Sequence, residues 1–162
     1  EAGAYDEVVP TAEAALEEAD LSRDERDQLE NTLAWALLHV EEAERAVDLA
    51  AGVVARTARV STHRAYTLGT YGAALVAAGR HGEALALLGD EAERGVAALD
   101  DAWAVSAQRY YRAVALAALG RHDEALVTWR AARDVDPTGL YGQRAEARLR
   151  QIERAGPYRG AT

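Results

Sequence analysis

The sequence predicts an all-α solenoid of antiparallel helix pairs, and three observations carry that prediction. The chain is alanine-rich and its 3 prolines lie far apart, a composition that favours helices over sheets. Residues 74–85 (ALVAAGRHGEAL) and 115–126 (ALAALGRHDEAL) agree at nine of twelve positions with an offset of 41. A weaker copy, EEAERAV (41–47), begins 38 residues before Gly79, and another interval of 38 reaches GAYDEVV (3–9). Such self-similarity is what a stack of supersecondary units leaves in a sequence, because each unit buries its apolar face on the next.

The elements succeed one another along the chain. Residues 6–19 read as a second helix without its first, with Ala12, Ala15, Leu16 and Asp20 at second-helix spacings. Pro10 is expected in or near its first turn, where a missing N–H is harmless. Ser22-x-x-Glu25 is a capping box that opens a helix over about 23–39, carrying Leu29, Leu33, Trp35, Ala36 and Leu37. Its partner covers about 42–58. Ser61 or Thr62 caps a third pair, which runs to Gly79 and then from about 82 to 88.

Here the regularity slips. Gly89, Asp90 and Gly95 interrupt the helix and the interval lengthens by three, so a short second helical piece is expected between 90 and 99. It reads as a tolerated insertion or as a functional bulge on the ligand side. Asp100 or Asp101 caps a long helix, about 102–119, that starts a turn or more early, and Gly120 stops it. The next helix carries Ala125, Trp129 and Ala132 on one face until Asp136 and Pro137 end it. A last amphipathic helix, 139–155, points Leu140, Leu149 and Ile152 inward and Arg144, Arg148, Arg150 and Arg154 outward, capping the array. Residues 1–155 thus form one array (6–19; pairs 23–58, 62–99 and 101–137; cap 139–155), and 156–162 form a loose tail.

Gly120, Ala125, Trp129, Ala132 and Pro137 stand at the Gly, small, aromatic, small, Pro spacings that resemble the second half of a tetratricopeptide repeat (TPR). The resemblance extends along the four copies and implies a right-handed superhelix. It also implies close helix contacts at Ala34 with Ala46, Gly72 with Ala84, and Ala113 with Ala125, where all six residues are small. Larger side chains there would push the axes apart. Leu37, Leu75, Leu116, Leu85 and Leu126 recur as core.

TPR arrays bind extended peptides or helices along a concave side lined by the first helix of each pair. Carried over, that side holds Gln28, Asn31, Thr32, Trp35, His39, Tyr66, Thr70 and Ala73. It continues with Ala107, Tyr110, Tyr111 and Val114, and with Tyr141 and Arg144 of the cap. The candidate partner-binding residues are Asn31, Trp35, Tyr66, Thr70, Tyr110, Tyr111, Tyr141 and Arg144. Tyr and Trp give large contact area with a polar tip, although such residues also pack between repeats. TPR adaptors that clamp a C-terminal carboxylate use two Lys, two Asn and a further cation. The matching positions here are Asn31, Trp35, Thr70, Ala107 and Tyr111, and only Asn31 keeps the pattern.

Composition excludes other classes. A net charge of −9 argues against a nucleic-acid footprint, and no apolar run reaches the ~18 residues of a membrane span. With 0 cysteines there are neither disulfides nor thiolate metal sites. His81 and His122 take the turn position that Tyr5 holds in the first copy. As equivalents in successive repeats they stand about a helix diameter apart (~10 Å), too far to share a metal. No metal or cofactor is expected. Hydrolase, Walker and dinucleotide motifs are absent, so an enzyme is not expected.

The reading is a non-catalytic scaffold that binds a protein or peptide. The alternatives are a sensor segment of a larger bacterial signalling or transcription regulator, and an accessory domain of an enzyme. All 18 basic residues are Arg, a bias associated with GC-rich bacterial genomes, and the cytoplasm is the expected compartment. The chain opens just before a repeat turn and is expected to be a fragment of a longer protein. On that view Val8, Val9, Ala12, Ala15, Leu16 and Ala19 form an uncovered stripe that promotes a homodimer.

Overall fold

The computed structural model describes residues 2–17, 20–57 and 62–155. These residues form nine helices: α1 (Ala2–Glu17), α2 (Arg23–Leu37), α3 (Ala43–Arg56), α4 (Thr62–Ala77), α5 (His81–Leu87), α6 (Asp90–Ala97), α7 (Ala102–Ala118), α8 (His122–Val135) and α9 (Leu140–Ala155). They pack mostly in sequence, as adjacent antiparallel pairs. Ser61, Ala19 and the tail 156–162 lie outside the described residues.

The repeat is written most clearly in its turns. After α2, α4 and α7 the chain enters the left-handed region at Glu41 (φ 65), Gly79 (φ 74) and Gly120 (φ 76). The next N–H in each case reaches back five residues: Glu42 to the Leu37 carbonyl at 3.0 Å, Arg80 to Leu75 at 2.8 Å, and Arg121 to Leu116 at 2.9 Å. This is one helix-stop geometry used three times, at the sequence intervals of 38 and 41. Glycine adopts it freely, whereas Glu41 bears the steric cost of a Cβ.

The starts are equally explicit. Ser22 Oγ accepts from Glu25 N–H while the Glu25 carboxylate accepts from Ser22 N–H at 2.9 Å. Of the two aspartates that could open α7, Asp101 does so, its Oδ1 accepting from Ala104 N–H at 3.1 Å. The expected break falls at Leu88–Gly89, and α6 is the second helical piece.

The small residues are where close packing demands them: Ala34, Ala46, Ala84, Ala113 and Ala125 are all 0% exposed. At Gly72 a Cβ would strike the side chain of Leu88. Because α5 stops after two turns, the chain folds Leu88 back into the α4 groove, where it is 0% exposed.

The first helix also departs from expectation. It begins at Ala2, so Pro10 lies inside it rather than in its first turn. Proline leaves a carbonyl one turn back without its N–H, and Thr11 Oγ1 donates to the neighbouring Glu7 carbonyl at 2.7 Å. The apolar stripe is partly covered, with Val8, Val9, Ala15 and Leu16 half-buried. Ala12 is buried and Val9 and Leu16 pack against the main core, and α1 packs on α2. The exposed part of the stripe behind the homodimer expectation is therefore narrower than the sequence suggests.

Two further clusters complete the core. Ala125, Trp129 and Ala132 of α8 join Ala113, Leu116, Ala145 and Leu149. Val96, Ala104 and Val105, with Tyr66 and Leu99 against them, form a small core under α6. The insertion is thus a packed element, and it walls one side of the face shared by α2, α4 and α7.

Candidate functional site

The first helices α2, α4 and α7 each present a four-residue-spaced row to the same space: Asn31 and Trp35, Tyr66 and Thr70, and Trp103, Ala107 and Tyr111. Between these rows lies a cavity of about 160 Å³, with Val96 of α6 in its wall. Its volume is close to that of an engineered cavity that accepts benzene (~150 Å³). Five of the eight residues proposed from sequence, Asn31, Trp35, Tyr66, Thr70 and Tyr111, line it.

The electrostatics of the lining are distinctive. None of its side chains carries a formal charge. Tyr66 donates its hydroxyl proton to Asp101 Oδ2 at 2.8 Å, and that bond raises the phenol pKa. The Tyr66 oxygen is left as an acceptor only. Gln108 is 3% exposed and its Oε1 has no hydrogen-bond partner; Asn31 Oδ1 is likewise buried and unpartnered. Trp103, by contrast, is 41% exposed and stands at the rim.

No family model, curated protein or solved structure matches the chain.

Beyond the cavity the aromatic rows close on themselves. Trp35 meets Trp103 edge-on at 5.3 Å and reaches Tyr111 and Tyr141, each at 6.1 Å. Tyr110, Tyr111 and Tyr141 pack within 5.5–5.6 Å of one another, and the Tyr111 and Tyr141 hydroxyls share a hydrogen bond of 3.3 Å. Burial raises the pKa of both phenols, so they stay protonated. Tyr141 is 0% exposed. It is core, whereas Tyr110 beside it is partly buried.

Arg144, expected to point outward, instead lies half-buried with its guanidinium 5.3 Å from the centre of the Tyr141 ring. His39 completes this side, stacked on Tyr5 at 4.3 Å. Its pKa is lowered by burial and, secondarily, by the Arg144 charge.

Sequence reasoning missed Trp103, Gln108 and Val96. Trp103 was within reach, since it stands four residues before Ala107 in the early first turn of α7. Val96 was not, because its position depends on how α6 folds back. Among the described residues no group of three His, Asp or Glu side chains is placed to hold a metal ion, and no helix is long and apolar enough to cross a membrane.

Proposed function

We propose that this chain is a TPR-like array that binds a protein or extended peptide on the face formed by α2, α4 and α7, without catalysis. One observation carries the reading. Three first helices, far apart in sequence, converge their aromatic and amide side chains on one uncharged, partly open cavity. Such concave sites, mostly apolar with a few convergent polar groups, are where ligands usually bind. The repeated turn geometry at Glu41, Gly79 and Gly120 supports the repeat assignment, and with it a right-handed superhelix.

The face suits a peptide. A peptide laid over the cavity mouth would meet Trp103 at the rim and could send a side chain inward toward Trp35 and Thr70. The test is selection of a displayed random-peptide library on the purified chain, repeated with a folded Trp103→Ala variant. Enriched sequences that bind the parent and lose affinity for the variant are expected. Failure to enrich any sequence, or equal binding to the variant, would count against this face.

A further inference from the structure

We propose that the cavity between α2, α4 and α7 receives the guanidinium of an arginine side chain from the bound peptide. The inference rests on the peptide-binding reading and adds the chemistry of its anchor.

An occupant meets four aromatic side chains, Trp35, Tyr66, Trp103 and Tyr111, whose faces carry partial negative charge. It meets no formal positive charge that would repel a cation. The lining carries donors, on Thr70, Trp103 and the two amides, and it also carries acceptors suited to a cation. The Tyr66 proton is committed to Asp101, which leaves an oxygen acceptor with a carboxylate directly behind it. The Asn31 and Gln108 amide oxygens are unpartnered inside the fold. Burying an amide oxygen without a partner is costly, so the fold retains two groups that destabilise it when empty. Terminal amide torsions are broad, and turning either oxygen toward the cavity breaks no existing bond. A net charge of −9 draws cations toward the chain from a distance.

An anion would find neither a cation nor a free hydroxyl donor from Tyr66. A neutral apolar group would leave the amide oxygens unpaired. Between the two cationic side chains, an ammonium is compact and strongly hydrated, and the lining offers no carboxylate to replace its water. A guanidinium is weakly hydrated, stacks on indole, and spreads five N–H donors in a plane that reaches several separate acceptors. The cavity volume of about 160 Å³ accommodates that head group.

The probe is the peptide acetyl-Ala-Ala-Arg-Ala-Ala-amide, set against the same peptide with citrulline, the neutral urea isostere, in place of arginine. Nuclear magnetic resonance reads the outcome through three indole N–H signals, because the chain has 3 tryptophans. Trp35 and Trp103 should shift on titration, while Trp129, in the separate α7–α8–α9 cluster, stays still as an internal control. The citrulline peptide should bind at least about tenfold more weakly, the scale of a partly desolvated cation–π contact. Gln108→Met should fold and lose most of the arginine preference, and Trp103→Ala should give the same loss without touching a buried residue.

Equal affinity for both peptides would overturn the cation inference and leave the peptide groove standing. No indole shift at millimolar peptide would overturn it as well, and the library selection would then judge the groove separately. If n-butylguanidinium alone bound as tightly as the peptide, the occupant would be a free guanidino compound and the peptide anchor would be wrong.

Discussion

Two sides of one aromatic cluster behave in opposite ways. On the Tyr141 side, three tyrosines from α7 and α9 interlock, the Tyr111 and Tyr141 hydroxyls share a hydrogen bond, and Arg144 covers the Tyr141 ring. On the Trp103 side, residues of the same kinds from α2, α4 and α7 stand around a cavity, and buried amide oxygens go unpartnered. The difference comes from what lies behind each row. The closed side has α9, whose Gly142 lets its backbone come so close to Asp136 that a Cβ would collide with the Asp136 carbonyl. The open side has α6, whose Val96 lines a wall without filling the space. Aromatic residues on a concave face are therefore not evidence of a binding site until their neighbours are known.

The largest expected effect is on the closed side. Tyr141→Ala removes a fully buried ring and a buried hydroxyl partner, and should lower stability by about 3–5 kcal/mol in urea unfolding. A loss below about 1 kcal/mol would erase the contrast. On the open side, Gln108→Met replaces an unsatisfied buried amide with an apolar group of similar length. A gain of about 1 kcal/mol is expected, because nothing that the fold uses is removed. Marked destabilisation would mean that Gln108 serves the core.

His39 sharpens the comparison by pH. Burial and the Arg144 charge depress its folded pKa below the unfolded value of about 6.5. Between the two values the unfolded chain binds the extra proton, so the His39 contribution is fully present above about pH 6.5 and is lost as pH falls through the depressed folded pKa. The parent should lose more stability than His39→Phe between about pH 7.5 and about pH 5, read as urea midpoints. Equal losses would show that His39 stays solvated. The smallest effect is expected from Trp103→Ala, within about 1 kcal/mol of the parent because the ring is 41% exposed. A large loss would make Trp103 a core residue.

The local features were legible where local rules decide them. Ser22 and Glu25 announce a cap, Gly79 and Gly120 announce a left-handed stop, and Gly89 announces the break. Ala125, Trp129 and Ala132 share a face by spacing alone, and all three are buried. What was not legible depends on distant partners. Nothing around Pro10 says that three residues of helix precede Tyr5, since proline is unfavourable inside a helix and packing against α2 overrides that preference. The burial of Tyr141 depends on α9 docking, and the approach of Leu88 to Gly72 depends on α5 ending early. The candidate face was located by the resemblance to TPR arrays. Which half of it is open was a tertiary matter.

The central claim is that α2 and α7, separated in sequence by four helices, face each other across the cavity. Nuclear Overhauser effects between the Trp35 and Trp103 indole rings test it directly. With ring centres 5.3 Å apart, strong ring-to-ring cross-peaks are expected, and none from either ring to Trp129. Absence of the Trp35–Trp103 cross-peaks in the folded protein would contradict the convergent face and the site built on it.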